Sequence, residues 1–571
     1  KCATMPYLGR DEGCERLAPR RAGATSKDPA TMGREAATPI LDTTQRFAAR
    51  TGLAAELAAF RKELAANRKV PAAVLALIAG AWLASWATLS AEVRLPVIFS
   101  DHMVLQQGQA VPVWGWAEPG EEVKVSLGET SATAKAGADG KWSLKIQTPA
   151  AGGPHSLIAK GKNEVKFDDV LIGEVWICSG QSNMQWSVNA SNDPDLEKLT
   201  AKNPKIRMIN FPQVGTQEPI WTHDRKWMVC TPENVGGFSA VGYFFGRQLQ
   251  QTLDVPVGLI NNAWGGSACE AWVRRDLLAK DEKYKPMLDR WAATEAQFAA
   301  LEAKGANLTD DEKKQHAQLR GQLGGNHRPA NIYNGVLSSH LGYGIKGAIW
   351  YQGESNASRA YQYRDLFPLM IKNWRDDWGQ GDFPFYWVQL ADFTGERPEP
   401  GDSDWAELRE AQTMTMSKLP NTGEAVIIDI GEGKDIHPMN KVDVGRRLAR
   451  WALAKDYGVK IAYHSPLYKS MEKAAGQIIL TFDHVDGGWR PFDVPEPRGF
   501  AIAGADKKFV WATAKILPDG RIAVSSDKVP EPESVRYGWA NNPVVNMFSR
   551  AGLPLTPFRT DDWPGITIGN K

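Results

Sequence analysis

This chain has no appreciable excess of positive or of negative residues. Lys and Arg number 67 against 66 Asp and Glu, a formal net charge of +1 over 571 residues. So close a balance gives no electrostatic drive toward nucleic acid or an anionic membrane surface. Cysteine is scarce, at 5. Cys2 and Cys14 lie far upstream, and Cys178, Cys230 and Cys269 allow at most one bridge plus a free thiol. Metal-ligand spacings of Cys and His, a dinucleotide fingerprint and a P-loop are all absent, so nothing calls for a cofactor. One long apolar run stands out, Val70 to Ser90, with Arg61-Lys62 and Arg68-Lys69 before it and Leu89-Ser90-Ala91 at its exit. Basic flank, apolar centre and small exit residues describe a secretory signal cleaved near Ala91. The run is also long enough to be a membrane anchor. Residues 1–69 lack a sustained core pattern and read as a disordered extension or an over-long gene model. The mature chain is therefore expected to be secreted or periplasmic, with a membrane as partner only if 70–91 is retained.

What is present is a set of apolar runs that each end in small polar residues. Val175-Trp176-Ile177 leads into Cys178-Ser179-Gly180-Gln181-Ser182-Asn183-Met184. A strand that breaks at glycine places a serine at a sharp turn, at the sheet end where α/β proteins put their chemistry. Ser182 is the candidate nucleophile. Cys178, at the same strand end, reads as a buried and inert thiol. A nucleophilic serine needs a base, an orienter and oxyanion donors. Of the nine histidines, His437 is the candidate base. It lies in Gly431-Glu432-Gly433-Lys434-Asp435-Ile436-His437-Pro438, between the strand-like run Ala425-Val426-Ile427-Ile428-Asp429-Ile430 and an amphipathic helix over 442–454. In an extended segment residues two apart point the same way, so Asp435 is placed to hold the His437 ring. Two further runs have the same form: Val257 to Ile260 into Trp264-Gly265-Gly266-Ser267, and Gly347 to Tyr351 into Gln352-Gly353-Glu354-Ser355-Asn356. Such units suggest a parallel sheet whose loops converge. Gly265-Gly266 lets backbone N–H groups approach a ligand, and the Gln352 amide can donate; these are parts of an oxyanion hole.

Short alternating runs separated by turns make residues 92–168 a small β-sandwich. Residues 169–456 alternate strand and helix and form the catalytic unit. Within it 277–323 is charged, with helical periodicity and no strand, a helical insertion. Residues 457–571 read as a second β module, including Ile478 to Phe482 and Phe509 to Ala514. The 22 Trp residues are compatible with sugar-stacking platforms, most of them serving the core.

Together Gly-Gln-Ser-Asn-Met, Trp-Gly-Gly-Ser, Trp-Tyr-Gln-Gly-Glu-Ser-Asn and Asp-Ile-His-Pro resemble the sialate O-acetylesterase family, a branch of the SGNH (GDSL-like) hydrolases. The likeness spans roughly residues 92 to 560. It implies a three-layer α/β/α catalytic domain with a mainly parallel sheet. It also implies Ser182 as nucleophile, His437 as base, Asp435 as orienter, and Gly266, Gln352 and Ser182 at the oxyanion hole. SGNH enzymes commonly place Asp three residues before His, whereas the spacing here is two. That leaves Asp429 and Glu432 as alternative orienters. Asn183, Trp264, Asn334, Gln389 and Arg409 are candidate substrate contacts. The expectation is a secreted esterase that removes O-acetyl groups from sialic acid through an acyl-serine. The alternatives are an esterase for acetylxylan or another polysaccharide, or a non-catalytic carbohydrate-binding protein.

Overall fold

A single 17-residue strand, Glu164–Gly180, joins two sheet environments. Its first residues alternate in exposure, as on a one-sided sheet, and from Val170 onward every residue is buried. That is the change expected where a strand enters a sheet covered on both faces. The computed structural model describes residues 92–571. The expected extension (1–69) and signal or anchor (70–91) lie outside them. Among the described residues no helix is long and apolar enough to cross a membrane.

The amino-terminal part comprises β1 (Val104–Gln106), β2 (Ala110–Trp116), β3 (Glu122–Leu127), β4 (Thr130–Lys135), β5 (Lys141–Gln147) and β6 (Gly152–Lys160). β2 pairs with β5, β3 with β4 and β6, and β6 runs antiparallel to Glu164–Gly180, here β7. The strand therefore runs unbroken through the boundary expected at 168/169.

Beyond it, β8 (Asn203–Asn210), β9 (Met228–Cys230), β10 (Val257–Asn261), β11 (Gly347–Tyr351), β12 (Phe385–Val388) and β13 (Thr422–Ala425) complete a sheet of order β13-β12-β11-β7-β10-β8-β9. All these pairs are parallel except β8 with β9. The chain fills one side of β7 first and then crosses to the other. The winding direction thus reverses beside β7, and in open α/β sheets that reversal opens a crevice at the carboxyl ends of the strands.

Helices α1 (Ala240–Leu253), α2 (Lys285–Glu302), α3 (Asp310–Leu323), α4 (Ala360–Trp378), α5 (Asp404–Lys418) and α6 (Lys441–Lys455) supply the cover. Four of the six starts carry a side-chain cap. Ser239, Ser403 and Asn440 each accept a backbone N–H of the first turn, and Thr309 with Glu312 forms a capping box. α1 packs on α6, and a Cβ on Gly242 of α1 would meet Cys178 Sγ at 2.9 Å. Trp374 of α4 meets Trp350 of β11 edge-on at 5.8 Å. Register pairs Ile349 with Cys178 and Trp350 with Ser179, so α1 and α4 lie against opposite faces. The segment expected as a helical insertion carries α2 and α3.

Two expectations are corrected. β13 ends at Ala425, and Val426 to Ile430 leave the sheet. Arg447 of α6 donates to Val426 O and pairs bidentately with Asp429, which draws this segment off as a loop. Phe509 to Ala514 divides between two sheets, as β17 (Val510–Trp511) and β18 (Thr513–Ile516). The carboxyl-terminal strands also include β14 (Leu467–Ala474), β15 (Gln477–Asp483), β16 (Phe500–Ala503), β19 (Ile522–Ser525), β20 (Ser534–Tyr537) and β21 (Phe558–Arg559). They close around a core of their own, including Ile478, Leu480, Ile502, Val524 and Val535.

Candidate active site

β7 ends at Gly180, whose φ of 132° and closeness to Tyr351 admit no side chain: a Cβ there would lie 2.2 Å from Tyr351 O. The chain then turns into one helical turn, Ser182–Gln185. The Gln181 N–H donates to Tyr351 O, and the Gln181 side-chain oxygen accepts from Gly353 N and Ser355 N. These bonds pin the serine turn to the loop after β11. Trp264 N donates to Gly180 O, which holds the loop after β10 on the other side.

Ser182 Oγ and His437 Nε2 are 2.9 Å apart. His437 Nδ1 lies 3.3 Å from Asp435 Oδ1, and the same oxygen accepts the His437 backbone N–H at 2.9 Å. The other two carboxylates considered as orienters are engaged elsewhere: Asp429 by Arg447, and Glu432 by the Met439 N–H. Trp186 stacks on the imidazole at 4.5 Å, with 9° between the rings. Burial, and then the Lys441 charge, lower the His437 pKa from its ordinary value, while Asp435 opposes both. A shift in this direction favours the neutral imidazole, the form that can accept a proton.

The backbone N–H groups of Ser182 and Gly266 have no acceptor among the described residues. Gly266 sits in the left-handed region at φ 71°, with its carbonyl held by Ser355 Oγ and His327 Nε2. Gln352 departs from expectation. It is fully buried, its amide donates to Ser267 O and Asn356 Oδ1, and its oxygen accepts from Tyr363. With both N–H groups engaged inward, it braces the loop and has no free donor for an oxyanion.

Other candidate contacts are also drawn inward. Arg409 is wholly buried and donates to the carbonyls of Leu390, Ala391, Ala540 and Asn541, tying the carboxyl-terminal module to the sheet. Gln389 is buried against Thr413 and Glu424. Asn334 donates to Gln217 O and lines a separate cleft with Trp221. Of this group only Trp264, half-buried, and Asn183 stay beside Ser182.

Asn183 is itself buried and linked to three segments. Its amide donates to Glu354 Oε1 and to Ile436 O, and its oxygen accepts from Lys441 Nζ. Lys441 is fully buried, and that desolvation pushes its pKa down to about 7 against the pull of Glu354, Glu432 and Asp435. Burial likewise raises the Glu354 carboxyl. Sequence reasoning missed Trp186, Lys441 and Glu354. The only available hint was a lysine at the first position of an otherwise apolar helix face. All three remaining cysteines are free and buried, and burial raises the Cys178 thiol above its ordinary range. Among the described residues no group of three or more His, Cys, Asp or Glu is arranged to hold a metal.

Comparison with known proteins agrees with this architecture. The family model described as carbohydrate esterase, sialic acid-specific acetylesterase matches residues 172–306 and 330–454. The sialate O-acetylesterase of Homo sapiens is 30% identical over 459 residues, covering 72% of this chain and 81% of that protein. That of Mus musculus is 30% identical over 443 residues, covering 68% and 79%. The crystal structure of a carbohydrate acetylesterase from Xanthomonas citri superposes with a TM-score of 0.71 at 38% identity, covering 83% of this chain and all of that one. Fold and likeness define a hydrolase of the carbohydrate-esterase class. Within that class the chain belongs to the sialate O-acetylesterase family.

Proposed function

We propose that this enzyme removes O-acetyl groups from sialic acid through an acetyl-serine intermediate. The observation that carries the reading is the 2.9 Å contact between Ser182 Oγ and His437 Nε2, with Asp435 behind the ring. His437 takes the Ser182 proton as Oγ attacks the acetyl carbonyl, and the backbone N–H groups of Ser182 and Gly266 receive the oxyanion. The protonated imidazole gives its proton to the departing sugar oxygen. Water then clears acetyl-Ser182 with His437 as base again. The names of the relatives support sialic acid as the sugar. An acetylated plant polysaccharide is the second reading, supported by the 38% identity to the carbohydrate acetylesterase from Xanthomonas citri.

The opposed packing of α1 and α4 supports the three-layer α/β/α SGNH arrangement for 169–456. The basic-flanked apolar run 70–91 supports a secreted or periplasmic location. Ser182→Ala tests the chemistry: acetate release from an aryl acetate should fall by about 10⁴-fold or more with the fold retained. Near-native turnover in that variant would remove Ser182 from the mechanism. A panel of acetylated sialic acids and acetyl-xylan decides the sugar.

A further inference from the structure

A cavity of about 720 Å³ opens between α2, α3 and the loop that follows them. That volume is ample for a sugar residue beyond the one carrying the acetyl group, since small-molecule sites run from about 300 to 1,000 Å³. Ser182 is not among its walls, yet the cavity begins at the oxyanion loop. Asn326 and His327, both in its lining, hold the carbonyls of Gly265 and Gly266. Gly265 in turn lies against Ser182, where a Cβ built on it would be 3.4 Å from Ser182 Cβ. The cavity therefore adjoins the loop that borders Ser182.

The lining suits a sugar. Trp291 of α2 is half-buried, packing against the core on one side and lining the cavity, and its N–H has no acceptor among the described residues. Arg290, Gln318 and Gln322 also line the cavity, and their side chains make no hydrogen bond or ion pair with described residues. Unengaged amides and a guanidinium around an aromatic plane match the hydroxyls and carboxylate of a sugar and its apolar ring face. Arg359, also in the lining, is paired with Glu270, which leaves Arg290 as the lining's unpaired guanidinium. Half of the lining, from Gln318 to His327, comes from the stretch 307–329 that the family model leaves unmatched.

We infer that this cavity is a subsite for a second saccharide unit, so the enzyme prefers acetylated oligosaccharides to acetylated monosaccharides. The inference rests on the esterase reading above. The test measures kcat/KM on 4-nitrophenyl acetate and on two matched series, O-acetylated sialic acid against O-acetylated sialyllactose, and acetylated xylose against acetylated xylotetraose. In the series that is turned over, the oligosaccharide should be favoured about tenfold, as one stacked ring with its hydrogen bonds provides. Trp291→Ala should abolish that preference, and Arg290→Ala, an exposed position that leaves folding intact, should reduce it. Both variants should keep the monosaccharide and aryl acetate rates within about twofold of wild type, as remote binding groups do. If neither series shows an oligosaccharide preference, or if the variants slow every substrate equally, the subsite is overturned. Loss of aryl acetate hydrolysis by the wild type would instead overturn the esterase reading itself.

Discussion

Lys441→Met should move the acid limb of the kcat/KM profile to higher pH. The Lys441 ammonium lies 6.0 Å from the Trp186 ring centroid, and that ring is stacked 4.5 Å from His437, so the charge is within about 10.5 Å of the imidazole. At that distance two unit charges interact by about 1.6 kcal/mol at an effective dielectric of 20 and about 0.4 kcal/mol at 80. Converted to pKa, the span is about 0.3 to 1.2 units. The sign follows from like charge: protonated Lys441 disfavours imidazolium and lowers the His437 pKa, so removing it raises that pKa. Lys441 titrates at about 7, above the limb, so it is charged over the range where His437 gains its proton. The assay is kcat/KM on an aryl acetate from pH 4.5 to 8, with circular dichroism at each pH to establish that the variant is folded. An unmoved limb, or one displaced downward, would refute the coupling. Scaling of kcat at a constant limb would mean that Lys441 acts only through Asn183 as a brace.

Asp435→Asn should cut kcat by about 10²–10⁴-fold and shift the acid limb downward, since the ring loses both its orienter and a stabilising carboxylate. Asp429→Asn should leave kcat nearly intact but cost about 3 kcal/mol in denaturant unfolding, because it breaks a largely buried pair with Arg447. Gln352→Ala should lower the Tm and disturb KM along with kcat, because each partner left unpaired costs about 1–3 kcal/mol; a pure kcat loss with unchanged Tm would restore it to the oxyanion hole. Lys441 also makes stability depend on pH. Its folded pKa of about 7 lies below the 10.5 of the free side chain, so between these values the unfolded chain binds more protons. Stability of the wild type relative to Lys441→Met should therefore rise from pH 7 toward 10.5, by up to about 5 kcal/mol, and guanidinium titrations at pH 7 and 9.5 would reveal it.

The residue pattern by itself placed Ser182, His437, Asp435 and Gly266 at strand ends and loops. These signals are local: an apolar run buries itself as a strand, and glycine or small polar residues at its end force a turn. Spacing within one loop was likewise enough to set Asp435 beside His437. Which way a loop's polar side chain faces was not legible, because its partners come from distant segments. Gln352 points inward because Ser267, Asn356 and Tyr363 present partners there, and Arg409 is drawn into the interior by carbonyls more than 130 residues further along the chain. The run Val426 to Ile430 is apolar enough to be a strand, yet Arg447 on the following helix pulls it off the sheet. The buried Lys441–Asn183–Glu354 chain joins three segments that only the fold brings together. Burying a polar group is costly unless a partner awaits it, and tertiary structure alone decides where the partners stand.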